Sequence, residues 1–339
     1  MDPQRNTHIV NDWVARLGIN LRGVRVLTEA ATGNFSFGPG LLLRAGAEHV
    51  YCWAKDSIYG TAAEATEQVQ AALAALGLPS DCVTFALNER PAAHVKDADL
   101  VLNCGPVRPI SAEMLSLRKT RRTVVGLMFD QWELRPDDVD IEACRTYGIG
   151  LAGVDESHES LRIFPACGAL AIKMAHEAGY EIFGNTITVW SDDAFGKVIS
   201  SAFTSAGAAE VRMTGKDEEL ARMAKGSDFV FCAKYNEERS LIGSGGLISQ
   251  LMHTERTNFG LVHLYGAVDT QWARENNIKV APDKSGHAKR MSRTLDHLGP
   301  LYSIGLFAAG AMSAYSAFRD TECAYLQTIL PCVSKRAAI

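Results

Sequence analysis

Residues 23–53, GVRVLTEAATGNFSFGPGLLLRAGAEHVYCW, decide the fold once they are set beside residues 184–214, GNTITVWSDDAFGKVISSAFTSAGAAEVRMT. Each stretch opens on a glycine, passes through a short β-rich run, crosses a loop and enters a helical segment. Each helical segment closes on a glycine, Gly46 in one and Gly207 in the other, followed by a second β-rich run. A glycine there supplies the left-handed residue that ends a helix. The echo continues downstream. Residues 98–102 (ADLVL) match 227–231 (SDFVF), an acidic residue opening an apolar strand in both. TVVGLMFDQWEL from Thr123 matches TNFGLVHLYGAV from Thr257, and residues 148–152 (GIGLA) match 277–281 (NIKVA).

Strands that are apolar on both faces and alternate with helices form parallel sheets covered on both sides. The expected fold is therefore α/β, with two tandem doubly wound Rossmann-like parallel sheets. Such sheets take ligands outside the carboxyl ends of their strands, so an interdomain cleft is expected. The helical spacing of Ile163, Cys167, Leu170, Ala171 and Met174 predicts a long helix over residues 161–179 joining the halves, with Pro165 in its first turn. The expected domains are 1–160, completed by a returning helix in 300–339, and 161–299.

Composition narrows the class. Against 34 Lys and Arg stand 39 Asp and Glu, a formal charge of −5, so no basic surplus points to nucleic acid. The densest basic cluster, Arg118, Lys119, Arg121 and Arg122, reads as a solvated helix end. None of the eight cysteines forms a C-x-x-C pair, and most lie in apolar runs as buried thiols do. The polar N-terminus lacks the apolar core of a signal peptide, so a cytoplasmic protein is expected. Residues 299–318, GPLYSIGLFAAGAMSAYSAF, are long enough to span a bilayer but rich in Gly, Ala and Ser. A buried helix is the expected reading, with no membrane partner.

The layout, with the segment Asp140-Ile141-Glu142-Ala143-Cys144 followed by Tyr147-Gly148-Ile149, resembles the D-isomer-specific 2-hydroxyacid dehydrogenases. The resemblance covers most of the chain and is one of layout. It implies a substrate domain first, a nucleotide-binding-type domain second, an NAD or NADP cofactor and a homodimer. The chain departs from the family where chemistry is concentrated. The phosphate loop G-x-G-x-x-G aligns with Ser191-Asp192-Asp193-Ala194-Phe195-Gly196, which keeps only its third glycine. Asp193 stands where backbone should approach a pyrophosphate. Arg212 lies near the position of the ribose-binding acid and would favour a 2′-phosphate, hence NADP. The family's Arg-Gly pair is replaced by Tyr265-Gly266, and Asp283 and Lys284 stand where its histidine is expected. His287 is the nearest substitute.

Polar residues at strand ends supply the remaining candidates. For substrate they are Asn34 in the first loop, Lys55, Asn103, Arg108, Trp132 and Asp155. Arg108, in a turn with two prolines, is the leading ligand for an oxyanion. For catalysis they are Glu133, whose neighbouring indole would raise its pKa, together with His158, His263, Tyr265 and His287. For the cofactor they are Ser191, Asp193, Phe195, Gly196, Arg212 and Lys234. No metal site is evident, because no set of donors has ligand spacing. A loop with Glu29 and then Thr32-Gly33 also faintly resembles the cofactor loop of methyltransferases. The expected function is a biosynthetic NAD(P)-dependent oxidoreductase acting on a small, anionic metabolite. The alternatives are a cofactor-independent lyase, isomerase or synthetase on the same frame, and a non-catalytic ligand-binding protein.

Overall fold

In the computed structural model the described residues are 2–57, 59–89, 91–103, 108–118, 122–255 and 260–332. The chain divides into two compact units, Met1–Leu161 with Gly299–Ile339, and Arg162–Leu298. The strands of the first are β1 (Arg25–Glu29), β2 (His49–Ala54), β3 (Val83–Leu87), β4 (Leu100–Asn103), β5 (Val124–Leu127) and β6 (Gly150–Val154). Those of the second are β7 (Thr186–Trp190), β8 (Glu210–Thr214), β9 (Phe229–Cys232), β10 (Ser240–Ile242), β11 (Gly260–His263), β12 (Ala267–Val268) and β13 (Val280–Ala281). A last strand, β14 (Leu326–Leu330), belongs to the first unit.

The first unit's sheet runs β14-β6-β5-β4-β1-β2-β3, all parallel except β14, which pairs antiparallel with β6. The second unit's main sheet is parallel in the order β13-β11-β9-β7-β8, and β10 and β12 form a separate small parallel pair. Both are doubly wound α/β sheets. The echo in sequence is an echo in space. β1, β2, β4, β5 and β6 correspond to β7, β8, β9, β11 and β13. Among the described parallel strands of the two main sheets, β3 alone lacks a partner, which turns the six-strand order typical of dinucleotide-binding sheets into the five-strand flavodoxin-like order. The six-strand order belongs to the first unit, although the resemblance placed the nucleotide-binding-type sheet second.

The acidic residue that opens a strand in each half has the same job. Asp99 Oδ2 accepts the Arg25 amide at 3.0 Å, and Asp228 Oδ2 accepts the Thr186 amide at 2.7 Å. Each carboxylate thus pins the first amide of its unit's first strand. Gly46 and Gly207 end their helices at φ +93° and +88°, a conformation that a side chain would strain.

The strands are buried on both faces. β5, β6, β9 and β11 have no exposed residue. One face of the first sheet is covered by helices Pro3–Leu17 and Pro300–Arg319. The second of these is long and apolar enough to cross a membrane, but its small side chains serve close packing. A Cβ on Gly126 of β5 would lie 2.5 Å from Ala314 Cβ, and one on Gly305 would lie 2.4 Å from the Trp13 ring. The helix expected over 161–179 runs Ile163–Glu177 and buries all five predicted apolar residues. It packs within the second unit against helix Ala194–Ser205, where Gly168 approaches Ala202.

Candidate functional site

Ligands of doubly wound sheets bind at the carboxyl ends of the strands, where the chain leaves neighbouring strands in opposite directions. In the second unit that point lies between β7 and β9. β7 ends at Trp190, and Ser191-Asp192-Asp193 lead into helix Ala194–Ser205. Asp193 caps this helix. Its Oδ1 accepts the amides of Phe195 (2.9 Å) and Gly196 (3.3 Å) and the hydroxyl of Ser191 (2.8 Å). Its Oδ2 accepts the Tyr235 amide, beyond β9, at 3.0 Å. These helix amides are the donors that a pyrophosphate takes in a dinucleotide fold. Gly196 keeps its family role, since a Cβ there would lie 2.5 Å from Ser191 Cβ.

The neighbouring charges are also spoken for. Lys234 donates to Gly215 O at 2.9 Å, pairs with Asp192 at 3.2 Å and sits 5.6 Å from the Trp190 ring centroid. Arg239 is bound by Asp217 and Glu237. Arg212 corrects the expectation of a 2′-phosphate ligand. Its guanidinium pairs with Glu210 and donates to Met223 O near the far end of the next helix. The side chain turns toward the amino edge of the sheet, so nothing in its placement favours NADP. Over the strand ends lie aromatic rings. Phe195 meets Phe164 at 5.1 Å and Tyr265 at 5.0 Å, and Tyr265 meets Tyr235 at 5.3 Å. Tyr265 is buried in this cluster.

Two histidine candidates have other surroundings. His263, the last residue of β11, is fully buried, and its Nε2 lies 3.1 Å from Pro282 O. Burial pushes its pKa down to about 4, which keeps the ring neutral. Gly286 covers it so closely that a Cβ would lie 2.8 Å from Nδ1. This is a core histidine, closed to substrate. His287 is exposed and forms an isolated bridge with Arg290.

In the first unit the candidates separate into scaffold and cluster. Asn34 is buried in the turn Gly33–Phe37, and the Gly33 amide is taken by Gln68 Oε1 at 2.9 Å. Lys55 lies 5.0 Å from the Trp53 ring centroid, and Asp56 caps the next helix by accepting the Ala62 amide. Asn103 ends β4; its side chain and residues 104–107 fall outside the described set. Arg108 forms an ion pair at 2.8 Å with Asp138, whose side chain is wholly buried. The proposed oxyanion ligand is therefore engaged in an internal pair. Asp155 holds a turn by accepting Ser157, and His158 contacts Ser160 Oγ at 2.8 Å, so neither joins Glu133 as an acid–base partner.

The cluster lies beyond β5 and β6, adjacent parallel strands. Asp130 caps the short turn Gln131–Glu133, which leaves Trp132 41% exposed and Glu133 half-buried. There the Glu133 carboxyl neighbours that of Glu156, two residues past β6 and 6% exposed, closely enough for each to shift the other's titration. Burial raises the Glu133 pKa. Burial and the Glu133 carboxyl raise that of Glu156 well above the carboxylate range, with Asp130 and Asp155 adding to the effect. Two carboxyls set side by side with little water oppose each other's ionisation. The pairing of Glu133 with Glu156 is signalled only by the adjacency of strands β5 and β6, at whose ends the two residues lie. Among the described residues no group of three His, Cys, Asp or Glu side chains is arranged to hold a metal.

No protein-family model matches the chain, and no curated protein does. Solved structures do match in fold. One is a D-lactate dehydrogenase from Treponema pallidum, 9% identical with TM-score 0.55 over 90% of this chain and 100% of that one. Another is the dipicolinate synthase A chain from Bacillus subtilis, 12% identical with TM-score 0.53 over 90% and 100%. A third is an NAD⁺-bound 3-phosphoglycerate dehydrogenase from Entamoeba histolytica, 12% identical with TM-score 0.50 over 93% and 100%. The chain thus has the two-unit layout of the D-2-hydroxyacid dehydrogenases, with a degenerate phosphate loop and no Arg-Gly pair. The dinucleotide which that layout implies for the second unit does not fit the residues there, because Asp193 already uses the helix amides.

Proposed function

We propose that this protein is a small-molecule enzyme on a dehydrogenase frame that works by proton transfer. The observation that carries the reading is the pairing of half-buried Glu133 with buried Glu156 at the carboxyl end of the first unit's sheet, each raising or shifting the other's titration. One member, protonated, can give a proton. The other, ionised, can take one. The reactions served by such a pair are isomerisations and eliminations of small polar metabolites. With Arg108 engaged by Asp138, Lys55 is the remaining candidate among those expected to hold an anionic group.

The test is proton exchange. Small hydroxy-, keto- and amino acids are incubated with the protein in D₂O and followed by NMR. Deuterium incorporation that is lost in Glu133→Gln, with ligand binding retained, supports the reading. Turnover that is unaffected by Glu133→Gln and Glu156→Gln sinks it.

A second reading, an NAD(P)-dependent oxidoreductase, is favoured by the six-strand order of the first unit. A nucleotide would then lie at the ends of β1 and β4, near Asn34 and Asn103. Thermal titration with NAD⁺, NADH, NADP⁺ and NADPH tests it, since a ligand at about 100 times its Kd adds about 2.7 kcal/mol of stability. No shift with any of the four rejects it.

A further inference from the structure

We infer that Asp193 is a resident stand-in for a ligand phosphate, tying the ends of β7 and β9 together and closing that place to outside anions. Four donors converge on one carboxylate. Two are amides of the first turn of helix Ala194–Ser205, one is the Ser191 hydroxyl at the end of β7, and one is the Tyr235 amide beyond β9. An ordinary helix cap draws its donors from its own helix. This one also reaches across the strand pair at which the sheet reverses direction, as a bound phosphate would.

The surroundings agree with a filled place. The Lys234 ammonium is paired with Asp192, and Asp192 packs so close to Gly215 that a Cβ there would lie 2.5 Å from its own Cβ. Phe195, buried among aromatic rings, covers the same strand ends. An entering phosphate would meet two carboxylates and no free amide among those that Asp193 holds. The second unit is therefore ordered at its strand ends with no cofactor, and the position serves as structure.

Denaturant unfolding of the full chain, with and without pyrophosphate at constant ionic strength, tests this. Asp193→Gly is expected to lower the folding equilibrium constant about tenfold or more, because the Ser191 hydroxyl and the Tyr235 amide lose a charged acceptor. Pyrophosphate should restore part of that loss while leaving the wild-type midpoint unmoved. Asp193→Asn carries the comparison should the glycine variant fail to fold. Its amide oxygen keeps the helix donors, but its NH₂ opposes the Tyr235 N–H, so an intermediate loss with weaker rescue is expected. Equal stabilisation of wild type and variants by pyrophosphate overturns the inference. So does a loss that pyrophosphate restores in neither variant, which leaves a plain helix cap.

Discussion

The two units are built from one repeated plan, yet they spend their strand-end carboxylates differently. In the second unit every acidic residue at the reversal point has a committed donor. Asp193 takes three backbone amides and a hydroxyl, and Asp192 takes Lys234. In the first unit Glu133 and Glu156 have chiefly each other, buried where Arg135 offers only partial relief to Glu133. A carboxylate satisfied by amides is inert. One set beside another carboxyl has its pKa raised and is a candidate for acid–base work. The same fold therefore leaves its strand-end carboxylates in two different settings, and the local donors decide which.

The largest test of this contrast is catalytic. With a substrate in hand, Glu133→Gln is expected to cut turnover by about 100- to 10,000-fold, the usual worth of a general acid or base. Asp193→Asn should leave turnover per folded molecule within a few-fold. Comparable losses in both would erase the distinction between the units.

A smaller effect lies in pH. His263 has its pKa depressed from 6.5 to about 4, so it is less protonated in the folded state than in the unfolded state. Its contribution is fully present above pH 6.5 and is lost as pH falls toward 4, a change of about 3 kcal/mol at most. Glu156 runs the other way. Its folded pKa is raised above 4.5, so stability is fully present below that value and declines as pH rises through the raised pKa. Urea midpoints measured between pH 4 and 8 should therefore show His263→Gln less sensitive to acid than wild type. Glu156→Gln should gain relative stability as pH rises. Variants that track wild type at every pH would show that neither group is linked to folding.

The smallest effect concerns Arg212. The pair with Glu210 is partly exposed, so Arg212→Met should change stability by about 1 kcal/mol or less. It should leave any preference between NAD and NADP unchanged in binding titrations. A specific loss of NADP binding would return the residue to a cofactor site.

Much of the architecture was legible along the chain. The paired glycines Gly46 and Gly207, the strand-opening acids Asp99 and Asp228, and the apolar spacing from Ile163 to Met174 each reflect local rules of helix ending, edge capping and periodicity. The choice of Asp193 as the key departure was also legible, because the phosphate loop has a fixed spacing.

Sequence order left open whether that carboxylate was an obstacle or a filler. The answer depends on Tyr235, 42 residues away, arriving beside it at the end of β9. The direction of Arg212 follows from the pleat of β8 and the position of the next helix, and the pairing of Glu133 with Glu156 follows from β5 lying next to β6. The repeat, the strands and their capping residues were written in neighbouring residues. The closure of one strand end and the carboxyl pairing at the other arose from side chains distant in sequence, where sheet order sets the neighbours and burial shifts their titration.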